Sequence, residues 1–552
     1  MLGNVYGGGL GQAGQATYGQ VNGEVTVNIG ATDGNPTPTY TGTATIGGMV
    51  FGGNNTNGSP KADINVNVYK MGHSGSNTYP ANAAAAAEET SVLDGDDVRA
   101  LIYSGAGGTV NDAKFALAAV YGGGNLAQYT TDMASASTHV TIYGCDNTIK
   151  YVYGGGKAAD TKANSVTIKG GLIYQVYGGG DGSADGTQAN VEGNASVVID
   201  GGLIDGVFGG SNTRGMVNGT ATVTVSSTAT CDRVVNETFG GGNQAPGGSV
   251  LVTIPCGTTG LTDVYGGAKN ADIGAPNNRK NIVLTIEGGD AQRIFGGNMS
   301  GGTIYGDVTV NVYGTNPSHT IDEVFGGSNL GGNIVGNIIV NIDSTHNSAC
   351  CGGCPLSLNN VYGGSNLVAY TPDSTWKDGT SHDDPYDSAY TETYANRPSP
   401  AVNVINGTVN NDVFGGGKGH QGLNPVLPAV KPKTLEEWTA AGHDAYYTGD
   451  DDYADSLAAY NTYQTYLGQV NAAKVMGNPV VTIGDKDRVT AGANPNARVG
   501  HNVYGGGNAA PIMGDTKVII QGNRTDIFGS VYGGGNAAKV TGNTAVEIGD
   551  HN

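Results

Sequence analysis

Acidic residues that could bind a metal ion fall into three short clusters: Asp94-Gly95-Asp96-Asp97, His382-Asp383-Asp384 and Asp450-Asp451-Asp452. Calcium takes oxygen ligands in such loops, but no cluster fits the EF-hand pattern. Residues 179–184 approach a calcium-binding nonapeptide repeat, although Ala184 stands where that repeat requires Asp. We interpret these stretches as solvated loops or helix caps, and we expect no metal or organic cofactor.

Residues for nucleophilic or metal-dependent catalysis show no useful spacing. The nine His are scattered, and neither a Ser-His-Asp set nor a metal-binding His pair is visible. The Gly-rich phrase Val-Tyr-Gly-Gly-Gly-Asn, complete at residues 503–508 and 531–536, resembles a phosphate loop in composition. It lacks the Gly-Lys-Ser/Thr of such a loop and precedes no predicted helix. We therefore expect that the protein is not an enzyme.

The six cysteines favour disulfides or free thiols over a metal site. Cys350, Cys351 and Cys354 form a cluster without a second pair of ligands, and zinc requires four. Cys231 and Cys256 are 25 residues apart, close to one repeat of the chain. A disulfide between them is possible if neighbouring repeats bring their Cα atoms within about 7 Å.

Altered copies of the Gly-rich phrase recur along the whole chain, and each contains one aromatic residue. The fourteen aromatic residues are Tyr6, Phe51, Tyr121, Tyr153, Tyr177, Phe208, Phe239, Tyr265, Phe295, Phe325, Tyr362, Phe414, Tyr504 and Tyr532. A second phrase follows each copy: two apolar, mostly β-branched residues flank one outward residue, as in Val166-Thr167-Ile168. This alternation is typical of β-strands.

The strict alternation of the two phrases predicts an all-β protein, a single parallel β-solenoid over residues 1–552 with about fourteen coils. One repeat cannot bury its apolar face alone, whereas stacked repeats can. Irregular coil lengths favour a right-handed β-helix. At about 4.8 Å per coil, the core of the rod would be roughly 65–70 Å long.

Each position of the Gly-rich phrase has a predicted role. The residue before the aromatic ring is Val in twelve copies and should point inward. The free exchange of Tyr and Phe predicts a partly exposed ladder of stacked rings, because a buried hydroxyl would need a partner. Gly at the next position permits a positive φ and a close approach of backbones. Asn follows four positions after several rings and should form a hydrogen-bonded ladder: Asn55, Asn125, Asn212, Asn243, Asn329, Asn366, Asn508 and Asn536.

Three insertions interrupt the repeat. Residues 71–116 contain an Ala-rich run at 83–87 and a short helical signal after Asn111. Residues 370–400 are rich in Tyr, Asp, Ser and Pro and should form a loop. Residues 419–477 begin with a capping-box pattern at Thr434 and continue with apolar residues at helical spacing, which predicts a helical hairpin.

Composition restricts the partners and the compartment. The net charge of −21 argues against nucleic acid, which requires clustered Lys and Arg. No stretch of 18 apolar residues exists, so no helix is expected to span a membrane. The first residues lack the features of a signal peptide. Few Lys and many Gly, Asn, Thr and Tyr favour a mature extracellular or cell-surface protein over a cytoplasmic one.

The outward residue of the second phrase gives no functional signal. It is Thr in eight coils, and then Asn65, Val198, Ile339, Asn403, Ile519 and Glu547. A polysaccharide-cleaving β-helix would place carboxylates, Lys or Arg at one outward position of neighbouring coils. An ice-binding surface would require an uninterrupted, two-column array of Thr. Neither pattern is present in this phrase.

The repeat resembles the β-helical passenger or stalk regions of large bacterial surface adhesins and fibre proteins. Residues 51–54 and 295–298, both Phe-Gly-Gly-Asn, are also similar to the Phe-x-x-Asn repeat of chlamydial polymorphic membrane proteins. Most copies here carry the Asn one position later, and the Gly-Gly-Ala-Ile/Leu/Val motif of that family is missing. The resemblance implies a surface-displayed adhesive or structural protein and assigns no catalytic or ligand residues.

The two ends of the chain predict assembly. Twenty residues follow Tyr532 and six lead to Tyr6, and their sum lies within the normal repeat spacing. We expect either head-to-tail stacking of copies into a bacterial surface filament or further repeats of the same chain. The alternatives are a β-helix that binds surface glycans or processes polysaccharides, and a phage tail fibre.

Overall fold

The chain folds as a parallel β-solenoid whose coils lie on two long sheets. The computed structural model describes residues 3–32, 39–40, 44–72, 94–104, 108–131, 133, 135–183, 185–226, 229, 231–347, 356–372, 397–422, 451–486, 497–522 and 524–549. Among the described strands, the pairings between successive coils are parallel and keep equivalent residues opposite each other, as in Val264↔Ile294 and Tyr265↔Phe295, with register shifts at Val217–Thr220, Ser300–Thr303 and Ile342–Asp343. The predicted fold class is confirmed.

One sheet, here called the aromatic sheet, carries the Gly-rich phrases. Its main strands are Val5–Tyr6, Val50–Phe51, Leu117–Tyr121, Thr148–Tyr153, Leu172–Tyr177, Gly202–Phe208, Arg233–Phe239, Leu261–Tyr265, Arg293–Phe295, Ile321–Phe325, Ser357–Tyr362, Val413–Phe414, Val503–Tyr504 and Val531–Tyr532. The short strands Ala497–Val499 and Thr525–Ile527 join it next to the end of Pro400–Val409.

The other sheet, here called the second sheet, carries the branched phrases. Its strands are Val25–Ile29, Ile64–Val68, Thr138–Ile142, Asn164–Ile168, Ala195–Ile199, Val217–Val225, Gly247–Ile254, Ile282–Ile286, Val308–Val312, Ile338–Asp343, Pro400–Val409, Val480–Ile483, Thr516–Ile520 and Thr544–Ile548. In the described part of the chain, a third side is formed by isolated bridges and the parallel pair Ser300–Ile304 and Gly331–Ile334. Ala31–Thr32 and Thr39–Tyr40 form a small antiparallel pair.

The interior of the rod is filled by the inward residues of both sheets. Val152 and Val176 precede rings of the aromatic sheet, and Val166 and Ile168 come from the second sheet; all four are fully buried in one continuous cluster. The aromatic rings belong to a separate cluster on the opposite face of their sheet. Because successive side chains of a strand alternate, an inward Val places the following ring outside the interior.

The glycine after each ring is required by the distance between coils and not by its φ angle. A Cβ on Gly178 would collide with the carbonyl oxygen of Gly209 in the next coil, and the same holds at Gly296 against Gly326. Among the described residues, no glycine directly after a ring has a positive φ. Of the two predicted reasons for this glycine, only the close approach of backbones applies.

The outward residues of the second sheet form two columns and not one. The observed register pairs Thr26 with Asn65 in one column and Asn28 with Asn67 in the next. Thr26, Asn65, Thr309 and Ile339 belong to the first column, whereas the other ten outward residues of the branched phrases belong to the second. The outward residues of the branched phrases therefore do not share one column, because the phrases are offset by two residues in some coils.

Among the described residues, most of the helical segments lie in the insertions. Helix Gly95–Ile102 packs Val98 and Ile102 against Leu172, Leu203 and Val234 on the outside of the aromatic sheet. A 3-10 turn, Asp112–Lys114, follows the predicted signal at Asn111, and another covers Ser344–Asn347. In the largest insertion the described helix is Asp451–Val470, with Tyr463 buried. Residues 83–87, 373–396 and the Thr434 pattern lie outside the described residues.

A disulfide joins Cys145 and Cys231, whose Cα atoms are 5.5 Å apart. The two cysteines occupy the same corner three coils apart, and the bridge passes over the corners at Gly170 and Gly201. A Cβ on Gly170 would collide with the Cys231 sulfur. The predicted bridge between Cys231 and Cys256 is wrong: Cys231 folds back toward the preceding coils, and Cys256 is in another disulfide.

Replacement of both Cys145 and Cys231 by Ser should lower the unfolding free energy by about 2–4 kcal/mol, because the bridge closes a long loop in the unfolded chain. The measurement is denaturant unfolding followed by circular dichroism. A reductant should lower the unfolding free energy of the unmutated protein by more than it lowers that of the double variant. An unchanged midpoint in the double variant would contradict this role.

Candidate functional site: the outer aromatic column

The fourteen aromatic residues stack in one column along the outside of the aromatic sheet. Centroids of successive rings are 4.7–5.0 Å apart, and the ring planes differ by 1–11°. The rings from Phe51 to Phe414 are no more than 2% exposed. The prediction of a partly exposed ladder is therefore wrong, and the column is a second core outside the first.

Two columns of side chains flank the rings and cover them. One column comes from the residue two positions before each ring, and the other from the residue four positions after it. Side chains of the two columns form ion pairs over the rings. Glu237 pairs with Lys269 at 2.9 Å, and Glu323 pairs with Lys418 at 2.6 Å. The Lys269 ammonium also lies 5.6 Å from the centre of the Phe239 ring. The rings are thus shielded from water by charged groups that neutralise one another.

The buried tyrosine hydroxyls are satisfied by the second flanking column, two coils further along. Tyr121 donates to Asp181 at 3.0 Å, and Asn329 donates to Tyr265 at 2.9 Å. Asn212 likewise donates to Tyr153 at 3.1 Å. Because of these bonds, the column can be buried without the free-energy cost of unpaired tyrosine hydroxyls, which was the reason to predict an exposed ladder.

A signal for this arrangement is present in the sequence, although the analysis of single repeats missed it. For every Tyr that has a coil two steps further along, that later coil carries Asn or Asp four positions after its own aromatic ring. These partners are Asn125, Asp181, Asn212, Asn243, Asn329 and Asn508. Four of the six Phe are instead matched by Lys or Met: Lys157, Lys269, Met299 and Lys418. The choice of Tyr or Phe is thus coupled to a residue two repeats away.

The predicted Asn residues all lie in the second flanking column. Wherever two of them occupy successive coils, the Nδ2 of the later Asn donates to the Oδ1 of the earlier one at 2.8–3.0 Å. The pairs are Asn125 to Asn55, Asn243 to Asn212, Asn366 to Asn329 and Asn536 to Asn508. Asn212 donates to Asp181 in the same way at 2.9 Å. The donors all point toward the N-terminus.

Charged residues also follow one another on the flanking column before the rings. Glu237, Asp263, Arg293 and Glu323 occupy four successive coils. Arg293 binds Asp263 through two nitrogens, with Nε at 2.9 Å from Oδ1. The branched phrases do not reveal this series, because its residues precede the aromatic rings and lie on the other sheet.

Burial shifts the pKa of several groups in this region. It raises the pKa of the Tyr121, Tyr153 and Tyr177 phenols, and nearby carboxylates or phenols raise them further. Burial also raises the pKa of the Asp181 carboxyl, although hydrogen bonds from Asn212 and Tyr121 oppose that shift. These groups therefore retain their protons to higher pH in the folded rod than in the unfolded chain.

The other candidate sites have local structural roles or lie outside the described residues. Asp94 caps helix Gly95–Ile102 by accepting from the Asp96 and Asp97 amides, while the Asp97 carboxylate accepts from the Asp94 amide. Within the described ranges, no group of three His, Cys, Asp or Glu could hold a metal ion. No helix in the same ranges is long and apolar enough to cross a membrane.

Comparison with known proteins identifies no relative: no protein-family model, no curated protein and no solved structure matches the chain.

The coupling between rings and partners can be tested with two matched substitutions. Phe239→Tyr should lower the unfolding free energy by about 1–3 kcal/mol, because Met299 offers its hydroxyl no partner. Phe295→Tyr should be nearly neutral, because Asn366 occupies the equivalent position. Adding Met299→Asn to Phe239→Tyr should restore stability. Equal losses in both single variants, without rescue, would contradict the coupling.

The raised phenol pKa values predict unfolding in alkali. In the unfolded chain the tyrosines ionise near pH 10, whereas the folded column keeps its protons. The unfolded state then binds fewer protons, so stability falls as the pH rises above 10. Tyrosinate absorbance should appear together with the loss of the β signal in circular dichroism. Gradual ionisation of an intact fold would contradict the prediction.

Proposed function

We propose that this protein is an extracellular structural and adhesive rod that extends by the addition of further coils of the same repeat. The coils are supplied by other copies, stacked head to tail into a surface filament, or by further repeats of the same chain. The uncovered face of the last described coil is the observation that supports this proposal.

The residues of that face are of the types that are buried between coils elsewhere in the rod, but no further coil of the described chain covers them. Val518 is fully buried, whereas Val546, its partner in the next coil, is 41% exposed. Tyr532 and Ile548 are 46% and 72% exposed. Among the described strands, Val531–Tyr532 and Thr544–Ile548 pair on one side only. Open strand edges of this kind pair readily with another strand.

An extracellular location is supported by the Cys145–Cys231 disulfide, because such bonds persist in oxidising compartments. The neutralised columns over the rings and the satisfied hydroxyls also suit a static scaffold. A phage tail fibre, the alternative structural function, requires a parallel trimer, which a mass measurement in solution would detect. A polysaccharide-processing enzyme would release reducing sugar.

Extension can be tested with Gly534→Ala, and Gly506→Ala is its matched control. The two glycines occupy the same position in the complete phrases. A Cβ on Gly506 would meet the Gly535 backbone at 2.8 Å, whereas nothing lies within 4 Å of one on Gly534. Gly506→Ala should therefore destabilise the monomer by about 1–3 kcal/mol, and Gly534→Ala should not.

Gly534→Ala should nevertheless prevent association, because an added coil would meet the new methyl group. Electron microscopy and sedimentation at micromolar concentration should show filaments of the unmutated protein and single rods of the variant. If the unmutated protein forms only single rods, self-assembly is excluded, and extension would require further repeats of the same chain.

A further inference from the structure

A hollow of about 560 Å³ lies on the outer aromatic column, over the coils of Phe51 to Phe208. The 3-10 turn Asp112–Lys114 and Lys150 line one side, and Lys157, Asp181 and Asn212 line the other. Small residues, among them the exposed Ala118, leave the space between these sides open. The hollow is thus bounded by polar side chains along both margins.

Tyr151 provides an aromatic ring in the hollow that lies beside the ring column and packs against Tyr153, with 5.9 Å between centroids. Its side chain is half-buried and belongs to the flanking column, two positions before Tyr153. Contact with the edge of Tyr174, at 5.5 Å between centroids, and the Lys150 ammonium, 5.2 Å from the ring centre, hold it in place. A fixed, partly exposed ring of this kind can pack against an apolar ligand face.

The polar groups of the hollow carry balanced charge and are fixed in position. Lys150 pairs with Asp112 at 2.7 Å, and Asp181 accepts hydrogen bonds from Tyr121 and Asn212. With Lys157, the two carboxylates and two ammonium groups sum to zero. The hollow therefore offers both donors and acceptors and has no net formal charge that would select a charged ligand.

We propose that this hollow binds a neutral saccharide chain. Sugar hydroxyls both donate and accept hydrogen bonds, which matches the mixed margins, and the C–H face of a pyranose packs on an aromatic ring. A wholly apolar ligand would displace water from these polar groups without offering hydrogen bonds in return. An anionic polymer would approach a protein of net charge −21, which disfavours it.

A second hollow lies further along the same column and is lined in part by helix Gly95–Ile102. It measures about 480 Å³ and is lined by Glu237, Asp263, Arg293, Asn329 and Leu330, among others. Leu330 is 55% exposed there. An oligosaccharide aligned with the rod axis would contact successive coils. This site does not rest on coil addition, so a rod that fails to associate would still bind saccharide.

The test is native affinity electrophoresis of the purified chain in gels containing a β-glucan, a mannan, a galactomannan or starch, with alginate as the acidic comparison. At least one neutral polysaccharide should retard the protein, and titration calorimetry with its oligosaccharide gives Kd. Tyr151→Ala should raise that Kd at least about ten-fold. Lys157→Ala should also raise it, which keeps the test decisive if Tyr151→Ala folds poorly.

Tyr143→Ala is the matched control. Tyr143 is also half-buried and stacks on Tyr69 at 4.5 Å, but it follows a strand of the second sheet and does not line the hollow. Its replacement should leave Kd unchanged. The proposal would be overturned if none of the neutral polysaccharides retards the protein, or if alginate alone does. Equal Kd values for the Tyr151 and Tyr143 variants would also overturn it.

Discussion

Every column of this rod must repeat at the spacing of hydrogen-bonded β-strands, about 4.8 Å. Parallel pairing brings equivalent residues of successive coils next to each other. Each side chain must therefore pack against a side chain of the same or a similar type. Branched aliphatic residues satisfy this requirement inside, and aromatic rings satisfy it outside, with centroids 4.7–5.0 Å apart. At the corners the same spacing leaves no room for a Cβ, which is why glycine follows each ring.

The outer aromatic column shows how a buried polar atom can be accommodated in a repeating structure. Some tyrosine hydroxyls find a partner in their own coil: Tyr177 donates to Gln175 at 2.7 Å, and Tyr6 accepts from Asn4 at 3.2 Å. Most hydroxyls depend on Asn or Asp two coils ahead, as Tyr121 does on Asp181. Tyr is therefore found where Asn or Asp stands two repeats away, and four of the six Phe occupy coils whose partner position carries Lys or Met. The rod is uniform in backbone but has a specific order of side chains.

Several of the departures from uniformity lie on one side of the rod. Helix Gly95–Ile102, Tyr151 and the charged series from Glu237 to Glu323 all lie along the aromatic sheet. The second sheet carries mostly small polar and aliphatic side chains in its two outward columns. A structural rod can thus present one surface for recognition while its strands provide the scaffold, which is the division of roles that the saccharide proposal requires.

The sequence by itself determined the solenoid, the number of coils and the inward Val positions, because alternation and repetition are properties of neighbouring residues in the chain. Tertiary structure decided what covers the rings, which register the outward residues of the second sheet adopt, and which cysteine Cys231 meets. Each of these depends on loops that differ in length from coil to coil, as where Cys231 folds back over Gly170 to reach Cys145. Spacing along the chain does not specify the path of such a loop, whereas packing against the coils beneath it does.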